Sequence, residues 1–180
     1  DILHLSYLCE FYGLQEVADY WDSVVRINDW QTDRFFQNIL HEQFNTLAGK
    51  TITLLGFAFK QDTGDTRDSP AIPLCEKLLG EHAKVRVHDP KALENARIDL
   101  KEMQGDVRFF EDVYEAAEGA HSLALVTQWT EYRELDFERI FNKMVKPAFI
   151  FDGRNHLDHQ QLFEIGFNVF PLGKPPLKHV

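Results

Sequence analysis

Along the chain the spacing of apolar residues changes character once. From Ile2 to Leu47 they recur at three- and four-residue intervals: Leu14, Val17, Ala18, Trp21, Val24 and Val25, then Phe35, Phe36, Ile39, Leu40 and Phe44. That is the period of an amphipathic helix. The stretch holds no proline and a single glycine, so it predicts one short and one long helix broken at Gly13. After Gly49 short apolar runs alternate with helical segments, the pattern of βα units in a parallel sheet. The runs place strands at Thr51–Leu55, Val85–His88, Val107–Phe110, Ser122–Thr127, Ala148–Phe151 and Phe167–Phe170. Helices are expected near Pro70–Leu79, Ala92–Met103, Asp112–Ala117, Phe137–Lys143 and His159–Ile165. With right-handed crossovers these units give an α/β fold: a doubly wound, mostly parallel six-stranded Rossmann-like sheet preceded by a long helical segment. The division read from this pattern is 1–48 for a central helical segment and 49–180 for the α/β domain. Three of the seven prolines fall in the last ten residues, which predicts a tail leaving the fold as an extended strand or a disordered end.

Composition narrows the functional classes. The 180 residues are 44% hydrophobic and 27% charged, which is globular and far from disordered chains. A net charge of -10 repels a polyanionic backbone, so no nucleic-acid partner is expected, and an anionic ligand needs a local basic pocket. No apolar run approaches the roughly 20 residues of a membrane span, so no membrane association is expected either. Two cysteines, Cys9 and Cys75, are too few for a disulfide framework; both sit among aliphatic residues and read as core, in a reducing, cytoplasmic compartment. The eight histidines show no metal-ligand spacing, so no metal is predicted. The first residues resemble neither a signal nor a transit peptide, and the absence of an initiator Met is read as the mark of a fragment. The apolar surface of the long helix either faces this domain's core or packs against a second subunit, which makes a homo-oligomer, most simply a dimer, the sharper reading.

Doubly wound sheets bind ligands beyond the carboxyl ends of their strands. The loop after the first expected strand runs from Gly56 through Phe57, Ala58, Phe59 and Lys60 to Asp62-Thr63-Gly64-Asp65-Thr66-Arg67-Asp68-Ser69. It lacks the later glycines of a dinucleotide fingerprint, and Phe57 and Phe59 are expected to keep the backbone away from a pyrophosphate. It offers instead Lys60 and Arg67 ahead of a helix with Ser69 as N-cap and Pro70 at its first position. Two readings stand side by side: a phosphate pocket, in which each charge-assisted bond is worth roughly 1.5–3 kcal/mol, or an exposed ion cluster of these bases with Asp62, Asp65 and Asp68. Phe151-Asp152-Gly153-Arg154 would converge on the same edge, its alternative being a plain strand-end turn. Asp89 lies 33 residues after Gly56, farther than the usual 20 or so of a ribose-binding acid, and is assigned to a turn or cap.

The loop GFAFKQDTGDTRDSPAI strongly resembles the segment opening the C-terminal domain of the UDP-glucose/GDP-mannose dehydrogenase family, and its eukaryotic UDP-glucose 6-dehydrogenases most of all. DILHLSYLCE with YWDSVVRINDWQ is similar to that family's central helical region, and FIFDGRN with IGFNVFPLGKP to its last strands and tail. The resemblance is weakest over Lys91–Arg108. It implies oxidation of UDP-glucose to UDP-glucuronate by NAD+ through a cysteine thiohemiacetal and thioester, with NAD held mainly by a separate N-terminal domain and the UDP part held here. It further implies that Asp1 is the aspartate beside the catalytic lysine, that Phe59, Lys60 and Arg154 bind substrate, and that Arg67 reaches NAD. The family's cysteine lies four residues ahead of that aspartate, so the resemblance puts it just outside this chain and implies that the chain alone is inactive. Gln61 and Gln128 depart from the lysine and glutamate usual at those positions, neither of them an expected ligand. A noncatalytic nucleotide-binding module, or a dehydrogenase of another sugar nucleotide such as GDP-mannose or a UDP-N-acetyl sugar, remain the alternatives. A phosphorelay receiver is excluded, because the first strand is followed by Gly56-Phe57 and not by paired acids.

Overall fold

The computed structural model describes residues 2–179. Two helices come first, α1 (Ile2–Phe11) and α2 (Gln15–Glu42). Gly13 at φ +72° ends α1, with Gly13 N donating to Glu10 O and Leu14 N to Cys9 O. This is the Schellman closure that a glycine in the left-handed region permits. Ser6 Oγ donates to Asp22 Oδ1 at 2.5 Å and so ties α1 to α2. The chain divides into two compact units, one up to Asn38 and one from Ile39 onward, so the change of unit falls inside α2.

The second unit carries one sheet. β1 (Thr51–Leu55), β2 (Lys84–His88), β3 (Asp106–Phe110), β4 (Ser122–Leu125), β5 (Phe149–Asp152) and β6 (Asn168–Pro171) lie in the order β3-β2-β1-β4-β5-β6, and every neighbouring pair is parallel. Between them run α3 (Ala71–Gly80), α4 (Leu93–Asp99), α5 (Val113–Ala117), α6 (Phe137–Lys143) and α7 (His159–Ile165). β1, β4, β5 and β6 are buried throughout. Their near-continuous apolar runs follow from this, since helices cover both faces of a parallel sheet. On one face Phe151 and Phe170 stack at 4.9 Å; on the other Phe167 meets Phe141 edge-on at 4.9 Å. Aspartates start three helices: Asp112, Asp136 and Asp158 each accept a backbone N–H of the turn they cap.

Several expected boundaries move. β4 stops at Leu125, two residues early, because Val126 N and Thr127 N both turn back to Leu55 O. β5 extends to Asp152, which places that carboxylate on the strand itself. The helix expected from Ala92 to Met103 is α4, which ends at Asp99 and gives way to turns in which Lys101 N reaches Ile98 O and Met103 N reaches Leu100 O. α3 begins at Ala71 and not at Pro70, although Ser69 Oγ still accepts from Ala71 N at 3.2 Å. A 3₁₀ turn over Thr130–Glu134, which the apolar spacing does not predict, follows β4. The tail does not leave the fold. Val169 and Leu177 exchange antiparallel bonds of 2.8 and 2.9 Å, and His179 stacks on Phe163 at 4.1 Å. The sheet's outer edge is thereby covered, as exposed edges require.

Candidate functional site at the carboxyl edge of the sheet

Strand order reverses between β1 and β4, so a crevice opens beyond their carboxyl ends, where doubly wound sheets take ligands. Three segments meet there: the loop after β1, residues 126–129 after β4, and the turn after β5. Gly56 has φ +90°, and a Cβ on it would lie 2.4 Å from Thr127 Cβ. Only glycine lets the loop pass this close to the β4 segment. Thr127 Oγ1 then donates to Ala58 O at 2.6 Å, and Ser69 Oγ donates to Phe57 O at 2.7 Å.

Beneath the loop sits Asp89, 2% exposed. Its Oδ2 accepts from Phe57 N (2.7 Å), Ala58 N (2.9 Å) and Trp129 Nε1 (3.0 Å). Its Oδ1 accepts from Lys91 N and Ala92 N, both at 2.8 Å. The turn or cap expected of Asp89 is therefore only half of its work; the other half organises the site loop. The sequence carried a signal for this, an acidic residue immediately after β2, but its role depends on which loop lies above it. The same bonds show that this sheet does not fit a dinucleotide. The amides of Phe57 and Ala58, which would have to face a pyrophosphate, are consumed by a carboxylate. Bulk is not the reason: Phe57 is wholly buried, folded inward, and only Phe59, 49% exposed, stands at the edge.

A second buried carboxylate holds the turn after β5. Asp152 is 0% exposed; it accepts from Arg154 N (2.9 Å) on Oδ1, and from His156 N (2.8 Å), Leu157 N (3.0 Å) and His159 Nε2 (2.8 Å) on Oδ2. The two halves are linked, since His156 Nε2 pairs with Trp129 O at 3.0 Å and Arg154 Nε donates to Val126 O at 2.6 Å.

The residues singled out from sequence are distributed as follows. Phe59, Lys60 and Arg154 are exposed on loops of this one edge. Lys60 forms no ion pair among the described residues, and neither does Arg154, whose guanidinium is lowered from its ordinary pKa by partial burial yet stays charged. Arg67 realises the ion-cluster reading: Nη2 lies 2.7 Å from Asp65 Oδ2 and Nε 3.0 Å from Oδ1. Bonds from Arg67 hold the Asp65 carboxyl down to about 2. Asp1 lies outside the described residues. Among those residues no group of histidine, cysteine and acidic side chains could hold a metal, and no helix is long and apolar enough to cross a membrane. Cys9 and Cys75 are both buried, and burial pushes the Cys75 thiol far up.

Comparison with known proteins bears on this geometry. Residues 53–159 match the UDP-glucose/GDP-mannose dehydrogenase family, UDP binding domain, a span running from β1 into α7. The chain is 47% identical to UDP-glucose 6-dehydrogenase 5 of Oryza sativa subsp. japonica and 46% identical to UDP-glucose 6-dehydrogenase 1 of Arabidopsis thaliana, in each case over 97% of this chain and 40% of the relative. It thus spans well under half the length of these relatives. A UDP-glucose dehydrogenase structure from the archaeon Pyrobaculum islandicum superposes with a TM-score of 0.72 at 27% identity, over 92% of this chain and 36% of that one. The six-stranded sheet, the loop pinned at its switch point and the matched span together place the chain in the UDP-glucose/GDP-mannose dehydrogenase family, as its UDP binding domain.

Proposed function

We propose that the chain grips the uridine diphosphate part of UDP-glucose, and of its product UDP-glucuronate, within an NAD-dependent UDP-glucose 6-dehydrogenase. The observation that carries this is Arg154. Its backbone is fixed by a buried carboxylate and its Nε by Val126 O, yet no carboxylate pairs with the guanidinium among the described residues. A fixed, unneutralised cation at the strand carboxyl edge of an acidic chain is suited to a phosphate. Lys60 supplies a second charge from the neighbouring loop, and the exposed ring of Phe59 a surface for the base. NAD, which this sheet does not fit, belongs to other parts of the full-length enzyme, and exposed Arg67 reaches toward it only by giving up its ion pair with Asp65. The thiol and the proton handling assigned to Asp1 complete the reaction beyond the residues described. The same reading makes the enzyme a cytoplasmic homo-oligomer joined through α1 and α2, on which Leu3, Tyr7, Phe11 and Trp30 are exposed.

Calorimetric titration of the chain with UDP tests the grip. Arg154→Ala and Lys60→Ala should each weaken binding about 10-fold or more, the worth of one charge-assisted contact, and GDP should bind less well than UDP. Variants that bind UDP as the parent does, or no heat from the parent at all, would overturn the reading.

A further inference from the structure

We infer that His159 is a positioning residue for Arg154, acting through Asp152; the role rests on the nucleotide-binding reading above. Asp152 ends β5 with its side chain fully out of solvent, where a carboxylate persists only if its lone pairs are taken. Four donors take them. Three are backbone N–H groups of the turn itself, Arg154, His156 and Leu157. The fourth, His159 Nε2 at 2.8 Å, is the only side chain among them.

The three amides tie the turn to a carboxylate carried by β5 alone, and they belong to the segment being fixed. His159 does not. It opens α7, whose first turn is capped by Asp158 accepting from Gln161 N at 3.0 Å, so its ring is anchored to a helix and not to the turn. An acceptor-only carboxylate requires the hydrogen on Nε2. The ring therefore clamps Oδ2 from the helix side while the amides of His156 and Leu157 clasp the same oxygen from the turn, leaving Oδ1 to the amide of Arg154. Arg154 hangs from this assembly by its own amide and projects its guanidinium to Val126 O. Without the ring the carboxylate keeps its strand and its backbone donors but loses its second anchor, on α7, and Arg154 samples more directions before a phosphate arrives. The loss is one of preorganisation, which weakens binding without removing a ligand contact.

The test uses the whole chain, titrated with UDP, in five forms: parent, His159→Leu, His159→Gln, Arg154→Ala and the His159→Leu/Arg154→Ala double variant. His159→Leu should weaken UDP about threefold to tenfold, the worth of one hydrogen bond. His159→Gln, whose amide can still donate to Asp152, should recover part of that. The double variant should bind no worse than Arg154→Ala, because the histidine acts only through the arginine. Amide hydrogen exchange at Arg154, His156 and Leu157 should quicken in the Leu variant and not in the Gln variant, a readout that holds even if Leu lowers overall stability. If Arg154→Ala weakens UDP but His159→Leu does not, or if their losses multiply, the positioning role is wrong and the nucleotide site survives. If Arg154→Ala itself leaves UDP binding unchanged, the nucleotide reading falls and takes this role with it.

Discussion

Asp89 offers the sharpest test of how the site is held. Replacing it by alanine removes an acceptor from five donors at once: Phe57 N, Ala58 N, Trp129 Nε1, Lys91 N and Ala92 N. Lys91 is exposed and can turn to water, but the other four donors belong to buried residues. A buried donor left without a partner costs about 1–3 kcal/mol. Taking about 1 kcal/mol for each of the four, because the loop relaxes, the loss is about 4 kcal/mol from a total of about 5–15. For a chain of this size that lowers Tm by about 8–16 °C. Asp89→Asn should lose less, since one oxygen still accepts while its amide opposes two N–H donors. Urea and thermal unfolding followed by tryptophan fluorescence reads the effect directly, Trp129 being one of the freed partners. In whatever fraction folds, UDP affinity should also fall, because the Lys60 loop has lost its anchor. An alanine variant melting within about 2 °C of the parent would show that the five bonds do not carry the load assigned to them.

Three further outcomes follow from the same structure. Gly56→Ala should lower Tm by more than an ordinary surface change, since its Cβ would sit 2.4 Å from Thr127 Cβ at φ +90°. An unchanged melting curve would mean that the loop does not pass Thr127 as described. Burial holds the His88 and His121 imidazoles below their ordinary value of 6.5, so the unfolded chain takes up these protons first; stability should decline as pH drops below about 6.5, and His88→Gln should flatten that decline. Denaturation midpoints that do not move between pH 7.5 and pH 5.5 would contradict it. Light scattering on the parent should give a mass above the 21.0 kDa of one chain, and Phe11→Glu with Trp30→Glu should reduce it to that value; a monomeric parent at high concentration would end the oligomer proposal.

Much of this protein was legible one residue at a time. The shift from a helical to a strand-and-helix period located every strand: β1, β4, β5 and β6 are buried throughout and so nearly apolar along their length, while the less buried β2 and β3 keep Arg86 and Arg108 between apolar residues. Gly13 marked the break between α1 and α2 through its backbone freedom alone. Local chemistry also picked out Lys60, Arg67 and Arg154 as cations at strand ends, and the quoted loop carried the family resemblance. What such reading missed are effects between segments distant in the chain. Asp89 looked like a turn residue because its partners Phe57 and Trp129 lie 32 and 40 residues away. Phe57 looked like an obstacle at the edge until packing turned it inward, and the proline-bearing tail found Val169 through pairing that no local propensity encodes. For Arg67 local sequence offered both fates, phosphate ligand or ion pair with a nearby aspartate, and the loop's course, which brings Asp65 within 2.7 Å, selected the pair. Hydrophobic period and turn chemistry are properties of neighbours in sequence and can be read there. A buried carboxylate acquires its meaning only from the donors that folding delivers to it, and those are chosen by the tertiary structure.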